Sequence, residues 1–505
     1  MECWSAGALG NISLNSPLHD SITPTLAHPM IKFGTSGWRA LIAHDFTFDN
    51  VRLATQGIAD YLKSEIRNPK SEIAQRKPVI ILGHDARFLG REFSLAAAEV
   101  LAANGFTPLL CDRDTPTPVI AHTIRVRKAI GGINMTASHN PAEWQGLKFS
   151  TYNGAPATPE VTKPIEANIQ KLVEAKWSFK AAVVGTYQCQ TIDPRPDYFK
   201  QIKKLVNFAA IKKAKMKIAV ELMYGTGRGY LDTLLEENGG AKVIRFHDHQ
   251  DPLFGGHHPE PNAEGMAEVS TLVRAKKAQM GLGLDGDADR FGVVDQDGTW
   301  LTPNQILALA LYHLKKNRRW TGAAVRTVPT SHQVDEVAKL LGVKIHETGV
   351  GFKFIGALME SEPIIVGGEE SGGLSVKGHV PEKDGVLACL LMAELVATER
   401  KSLGKILREL EKQTGEFHTD RLNVRLTEEG KAALLKKLTA GLDRVGSYPV
   451  EKFITTDGYK FLLPDGEWVA FRASGTEPLI RCYIEAKTAA HLKNLRTACQ
   501  ELVRV

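Results

Sequence analysis

"PVIILGHDAR", residues 78–87, sets the plan of this chain. An aliphatic run ends at Gly83 and a polar tip. "FSLAAAEVLAANG" (93–105) follows with helical spacing and a glycine stop, and "TPLLCD" (107–112) is a second apolar run. The order is strand, loop, helix, strand. It returns in "KIAVELMYGTG" (217–227), "GYLDTLLEENGG" (229–240) and "AKVIRFHD" (241–248). It returns again in "AAVRTVPTS" (323–331), "QVDEVAKLLG" (333–342) and "VKIHETGVG" (343–351). Three units of one plan predict three α/β domains, and their uneven spacing argues against a solenoid.

Beyond about residue 416 the pattern changes. "FHTDRLNVRL", a Lys-rich helix over Glu428–Leu442, "GYKFLLPDGEWVAFRAS", "LIRCYIEAK" and a final helix over Ala489–Leu502 read as antiparallel strands with two helices. The expected organisation is a disordered extension (1–29), α/β domains at 30–189, 190–299 and 300–416, and a smaller α+β domain at 417–505. Pro-marked "IDPRPDYF" (192–199) links the first two domains.

The 505 residues are 43% hydrophobic and 24% charged, enough apolar material for well-cored domains. The net charge of +6 is mild, and no basic tract is interleaved with aromatics, which argues against nucleic acid. A modest positive bias suits phosphorylated small molecules. Cys3, Cys111, Cys189, Cys389, Cys482 and Cys499 form no CxxC pair, as expected of a reduced, cytoplasmic chain without structural zinc. "GVLACLLMAELVA" (Gly385–Ala397) is too short to span a bilayer and contains Glu394, so it reads as a buried helix and no membrane association is expected. Residues 1–29 lack a charged start and an apolar core and are not a secretory signal.

"GLGLDGDADRFGVVD" (Gly281–Asp295) places Asp285, Asp287 and Asp289 at alternating positions between two apolar strands. Three carboxylates on one tight loop repel unless a cation sits among them, and hard oxygen ligands suit Mg²⁺. An acidic surface turn is the alternative. An EF-hand fails at Arg290 and Gln296, and the GxGxxG match is followed by a strand rather than a helix.

"TASHNP" (Thr136–Pro141) holds Ser138 without the GxSxG frame of a hydrolase. Either it is a turn whose side chains bond nearby backbone, or Ser138 carries a phosphate that adds an oxygen ligand to the aspartate cation. "GGEESGG" (Gly367–Gly373) offers carboxylates and a hydroxyl at a glycine-flanked loop tip, suited to sugar hydroxyls or equally to a solvated turn. "FRASGTEPLIRCY" (Phe471–Tyr483) supplies a guanidinium fork, hydroxyls and backbone N–H groups, the makings of a phosphate cradle or an ordinary turn. "FGTSGWRA" (33–40) ends in Arg39, and "ETGVGFKFI" (347–355) places Lys353 after a Gly-rich loop. In "GHDAR" (83–87) Asp85 and Arg87 read as a structural ion pair.

The order arginine loop, serine loop, aspartate loop, glutamate loop, phosphate loop resembles the α-D-phosphohexomutase family, which includes phosphoglucomutase, phosphomannomutase and phosphoglucosamine mutase. The resemblance covers residues 30–505, and "TASHNP" with "DGDADR" carries it. It implies three α/β domains with mixed sheets and a smaller C-terminal domain around a central cleft. It implies Ser138 as the phosphoryl carrier, with Asp285, Asp287, Asp289 and phospho-Ser138 holding Mg²⁺. Arg39, Lys148 and Arg290 would line the site, and Lys148 would be a general base with its pKa lowered by the two arginines. Glu369 and Ser371 would bind sugar hydroxyls, and Arg472, Ser474, Gly475, Thr476 and Arg481 the non-reacting phosphate, with Lys353 also on the substrate. His379 and Lys383 match positions of "GEES…EKDG" phosphoglucomutases and would serve the second proton transfer. Ser371-Gly372-Gly373 departs from the "SGH" of the other branches, which favours glucose 1-phosphate and glucose 6-phosphate as substrates and glucose 1,6-bisphosphate as activator. Mannose or dual specificity, phosphoglucosamine mutase and a bisphosphate synthase remain alternatives, as does a monomer or a homodimer. A silent sugar-phosphate sensor would have no use for Ser138, and a phosphatase would release free phosphate.

Overall fold

The computed structural model describes residues 31–34, 36–179, 187–473 and 479–504. The expected extension at 1–29, Cys3, and Ser474, Gly475 and Thr476 lie outside them.

Each recurrent stretch forms the expected parallel strand pair. Val79–His84 pairs with Thr107–Cys111, Lys217–Glu221 with Lys242–Phe246, and Ala323–Thr327 with Ile345–Thr348. An apolar strand buried on both faces needs a helix to cross back to its parallel neighbour, and the intervening segments provide one. Gly90–Ala103 and Gln333–Leu340 are α-helices, whereas the second crossover is a single turn at Leu231–Thr233 running into a π-turn at Leu234–Asn238.

Antiparallel strands complete each sheet and make all three mixed. In the first, of six strands, Gly131–Met135 lies parallel to Val79–His84 and then pairs antiparallel with Trp144–Thr151, which pairs with Trp38–Leu41. Gln190–Ile192 adds the far edge. In the second, Met280–Leu284 turns through the aspartate loop into Phe291–Asp295. In the third, Ile364–Gly368 turns through the glutamate loop into Leu374–Val376. The C-terminal unit is a five-stranded antiparallel sheet with helices Glu428–Thr439 and Ala489–Leu502, plus a small ribbon of Arg444–Val445 with Tyr448–Pro449. The serine, aspartate and glutamate loops each follow the end of a strand.

Gly385–Glu399 is the buried helix expected at 385–397, and every residue from Gly385 to Ala397 is buried. Its one buried charge, Glu394, accepts from Arg318 at 2.7 Å and from the Asn207 amide at 2.8 Å, so the carboxylate is not stranded in the core. No helix among the described residues is long and apolar enough to cross a membrane. Lys460 of the fourth sheet is fully buried against the third unit, donating to the Val328 carbonyl at 2.8 Å.

The candidate active site

Ser138 leaves strand Gly131–Met135 with φ 55, a left-handed conformation that serine adopts only when its surroundings impose it. Arg87 imposes it. Its guanidinium donates to the carbonyls of Ser138 (2.7 Å), Asn140 (2.6 Å), Pro141 (2.6 Å) and Trp144 (3.1 Å). Its Nε pairs with the fully buried Asp85 at 3.0 Å. Asp85 also accepts from Thr136 Oγ1 at 2.6 Å, and Thr136 Oγ1 accepts from the Ser138 amide at 2.9 Å. The Asp85–Arg87 ion pair is thus the frame of the serine loop.

The aspartate loop arrives from the second sheet. The Ser138 hydroxyl donates to Asp285 Oδ2 at 3.0 Å, and a Cβ on Gly286 would meet the Ser138 carbonyl oxygen at 2.8 Å. Asp285, Asp287 and Asp289 are all buried, each with a carboxylate oxygen within 4.8 Å of the others. Asp287 Oδ1 and Asp289 Oδ1 are buried with no hydrogen-bond partner. Buried orphan acceptors are costly, and a hard cation with oxygen ligands fits the donor set. Burial, with Asp287 and Asp289 close by, pushes Asp285 well above the usual carboxylate range.

Two lysines hold the other carboxylates. Lys148, on strand Trp144–Thr151, donates to Asp287 Oδ2 at 2.6 Å and Asp289 Oδ2 at 3.0 Å. Lys383 Nζ lies 3.0 Å from the same Asp289 oxygen. Burial and the neighbouring aspartate act to raise Asp287, yet Lys148 and the Thr117 hydroxyl draw it below its ordinary value. The expected lowering of the Lys148 pKa is absent. Burial, Lys383 and Arg39 act downward, but Asp287 and Asp289 outweigh them and the pKa is raised. Arg290 is itself held, against burial, by Asp289, Asp285 and Glu260, which raise its pKa.

Arg39 is half-buried beside Asn140, donating to its Oδ1 at 2.7 Å. It fits because residue 146 is glycine: a Cβ there would press on Arg39 Cγ at 3.2 Å and on the Thr136 carbonyl at 2.4 Å. Burial and Arg290 lower the Arg39 pKa to about 10, so it remains a cation. Arg290 caps the aspartate loop, its amide donating to Asp285 Oδ1 at 3.0 Å.

Glu369 is buried rather than exposed at a loop tip, and its Oε1 accepts the Gly351 amide at 2.9 Å. The glycines around it allow close packing: a Cβ on Gly373 would strike the Lys383 side chain at 2.2 Å. Ser371 is half-buried. His379 bonds Asp384 Oδ2 at 2.7 Å, where the Tyr198 hydroxyl also donates at 2.8 Å, and this contact is with the N-cap of helix Gly385–Glu399, not with the aspartate loop. Lys353 is in the first turn of helix Phe352–Ser361, its pKa lowered by burial. Arg472 and Arg481 stand opposite each other across the strand pair Trp468–Ala473 and Leu479–Ala486, side chains on one face.

Thr117 was not anticipated. Its hydroxyl donates to Asp287 Oδ2 at 2.5 Å, accepts from Asn134 at 2.9 Å, and its amide donates to the Asp287 carbonyl at 3.0 Å. The Thr-Pro-Thr-Pro run 115–118, just past a strand, is the sequence signal that could have found it.

Family models match four consecutive regions. They are described as phosphoglucomutase/phosphomannomutase alpha/beta/alpha domains I (30–176), II (196–298) and III (302–414) and the C-terminal domain (422–502). A phosphoglucomutase/phosphomannomutase of Thermococcus kodakarensis is 32% identical over 461 residues, 90% of this chain and 94% of that protein. A phosphoglucomutase of Komagataeibacter xylinus is 30% identical over 95% of this chain and 92% of its own length. The open form of Paramecium parafusin, a phosphoglucomutase, superimposes with a TM-score of 0.77 at 25% identity over 94% of each chain.

Proposed function

Because the chain belongs to the phosphoglucomutase/phosphomannomutase family of intramolecular phosphotransferases, we propose that it moves a phosphoryl group between O1 and O6 of a hexose, through phospho-Ser138 and a hexose 1,6-bisphosphate. The observation that carries this reading is the 3.0 Å approach of the Ser138 hydroxyl to a buried three-carboxylate cluster. A turn serine has no reason to be held in left-handed backbone against such a cluster.

In this reading Asp285, Asp287 and Asp289 hold Mg²⁺ with the phosphate of Ser138, and the ion neutralises phosphoryl charge when bound. Arg39 and Arg290 bring guanidinium donors to the equatorial oxygens. Lys148 moves the proton. It lies within hydrogen-bond reach of the loop that faces Ser138, donating to Asp287 and Asp289. Lys383 is the second candidate for proton transfer. His379, bonded to Asp384, which also accepts from Tyr198, supports the loop that carries it. Glu369 and Ser371 take sugar hydroxyls, and Arg472, Arg481 and the undescribed Ser474–Thr476 take the resting phosphate. Lys353 approaches the same substrate from helix Phe352–Ser361. The bisphosphate turns over so that its other phosphate returns to Ser138, with glucose 1,6-bisphosphate as priming activator.

Glucose 1-phosphate is the favoured substrate on the "GEESGG…EKDG" pattern. The T. kodakarensis relative carries both names, which keeps mannose phosphates as the second reading. A coupled assay on glucose, mannose and glucosamine phosphates, with Mg²⁺ and trace bisphosphate, tests the reaction: isomerisation of none refutes it. Intact mass tests the carrier: purified protein will carry a fraction of one phosphoryl group, lost in Ser138→Ala.

A further inference from the structure

Asp457 lies in the turn between strands Lys452–Ile454 and Tyr459–Leu462 of the C-terminal sheet, outside every motif assigned above. Its two oxygens face different units. Oδ1 accepts from Arg472 Nε at 2.9 Å, and Oδ2 accepts from the Val350 amide of the third unit at 2.5 Å. The next amide along, that of Gly351, donates to Glu369 Oε1 at 2.9 Å. Two consecutive peptide units, joined at Val350 Cα, therefore carry the two grips: Asp457 and Arg472 on one, Glu369 on the next. Each unit is planar and stiff, so only the φ and ψ of Val350 lie between the two grips.

The surroundings leave this arrangement little play. Gly351 has φ 126, open in practice only to glycine, and it starts helix Phe352–Ser361, whose free N–H groups and dipole favour carboxylates. Gly458 has φ 78, and a Cβ there would meet the Phe471 carbonyl oxygen at 2.4 Å and Arg472 Cγ at 2.7 Å. A Cβ on Gly349 would come within 3.3 Å of Asp457 Oδ2. The bond to Asp457 uses Arg472 Nε and leaves the terminal Nη pair outside it.

We propose that Asp457 is a positioning residue that sets the span between the hydroxyl-binding carboxylate of Glu369 and the phosphate-binding guanidinium of Arg472. The inference rests on the roles given to those two residues above. A hexose phosphate must reach both at once, in either of its two orientations. The hydrogen bonds from Val350 and Arg472 to Asp457 contribute to holding that span.

The test is steady-state kinetics with glucose 1-phosphate and glucose 6-phosphate (the mannose phosphates if those turn over faster), together with thermal unfolding. Asp457→Ala is expected to raise KM for both phosphates roughly tenfold, with kcat changed far less. Asp457→Asn keeps one acceptor oxygen and presents a donor to the other partner, so its KM will fall between wild type and Asp457→Ala. In an Arg472→Ala background, Asp457→Ala will add little, because the two act through one contact. A normal KM in folded Asp457→Asn and Asp457→Ala overturns the proposal, as does a lowered melting temperature with KM unmoved. A full additional loss on top of Arg472→Ala overturns it as well. If Arg472→Ala itself leaves KM normal, the cradle assignment has failed instead, and the two failures are told apart.

Discussion

The Arg87 guanidinium donates to the backbone carbonyl oxygen of Ser138 at 2.7 Å, across 51 residues of sequence. Three further carbonyls of the loop share its donors, and the buried Asp85 supplies its counter-charge. Arg87→Ala strips the loop of that frame and leaves Asp85 as an unpaired buried carboxylate. The expected cost is about 3–5 kcal/mol of stability, read as a shift in the urea midpoint, together with loss of phosphate from Ser138 in the intact mass. A midpoint within error of wild type contradicts the framing role.

Thr117→Val removes the hydroxyl that orients Asp287 while keeping the side chain's shape. Partners that orient a metal ligand are worth about 10–100-fold in affinity, so the Mg²⁺ concentration for half-maximal activity should rise by about that factor. The melting temperature without Mg²⁺ should change little. An unaltered Mg²⁺ requirement shows that Asp287 needs no such support.

Asp287→Ala removes one carboxylate of the proposed cation site. In wild type, Mg²⁺ at a hundred times its dissociation constant should add about 2.7 kcal/mol to the unfolding free energy. The variant should gain almost none of that increment and lose nearly all turnover, while its circular dichroism stays native. Equal Mg²⁺ stabilisation in both proteins refutes the site.

His122 gives a pH dependence of defined sign. Burial, then the nearby His379 and Arg125, lower its pKa to about 4, against Asp197 and Asp384, which act to raise it. Its ring stacks on that of His379 and meets that of Tyr198 edge-on, and Tyr198 and His379 both bond Asp384. Above pH 6.5 the residue is neutral folded and unfolded, and contributes nothing. Between 6.5 and about 4 only the unfolded chain takes the proton, so stability falls as the pH falls, by of order 3 kcal/mol in all. His122→Gln should flatten that part of the acid limb in urea titrations at stepped pH. A slope equal to wild type between pH 6.5 and 4 excludes His122 as its source.

Much of the fold is legible because it is written in local patterns. The three strand–loop–helix–strand stretches, the fully apolar helix at Gly385 and the helix Ala489–Leu502 all follow from period and punctuation. The Lys-rich helix expected to Leu442 ends at Thr439, because Ala440 and Gly441 close it. The site is legible where chemistry is concentrated in residue type, as in the three aspartates. It is illegible where contacts are made to backbone. Nothing in Arg87 announces that it grips four carbonyls, and a carbonyl has no letter in the sequence. Thr117 reaches Asp287 over 170 residues, and Asp457 reaches Val350 over 107, so neither bond leaves a local spacing to read. The raised pKa of Lys148 is illegible too, because the sequence shows the arginines in motif order but not the carboxylates the lysine touches.

The clamp on the serine loop has a consequence for the turnover cycle. Arg87 touches only carbonyls there, and Thr136 takes only the Ser138 amide. The grip is therefore indifferent to what the serine side chain carries. On the proposed mechanism, loaded and empty forms of the carrier would share one scaffold, and a loop that need not refold between half-reactions would leave rearrangement to the sugar.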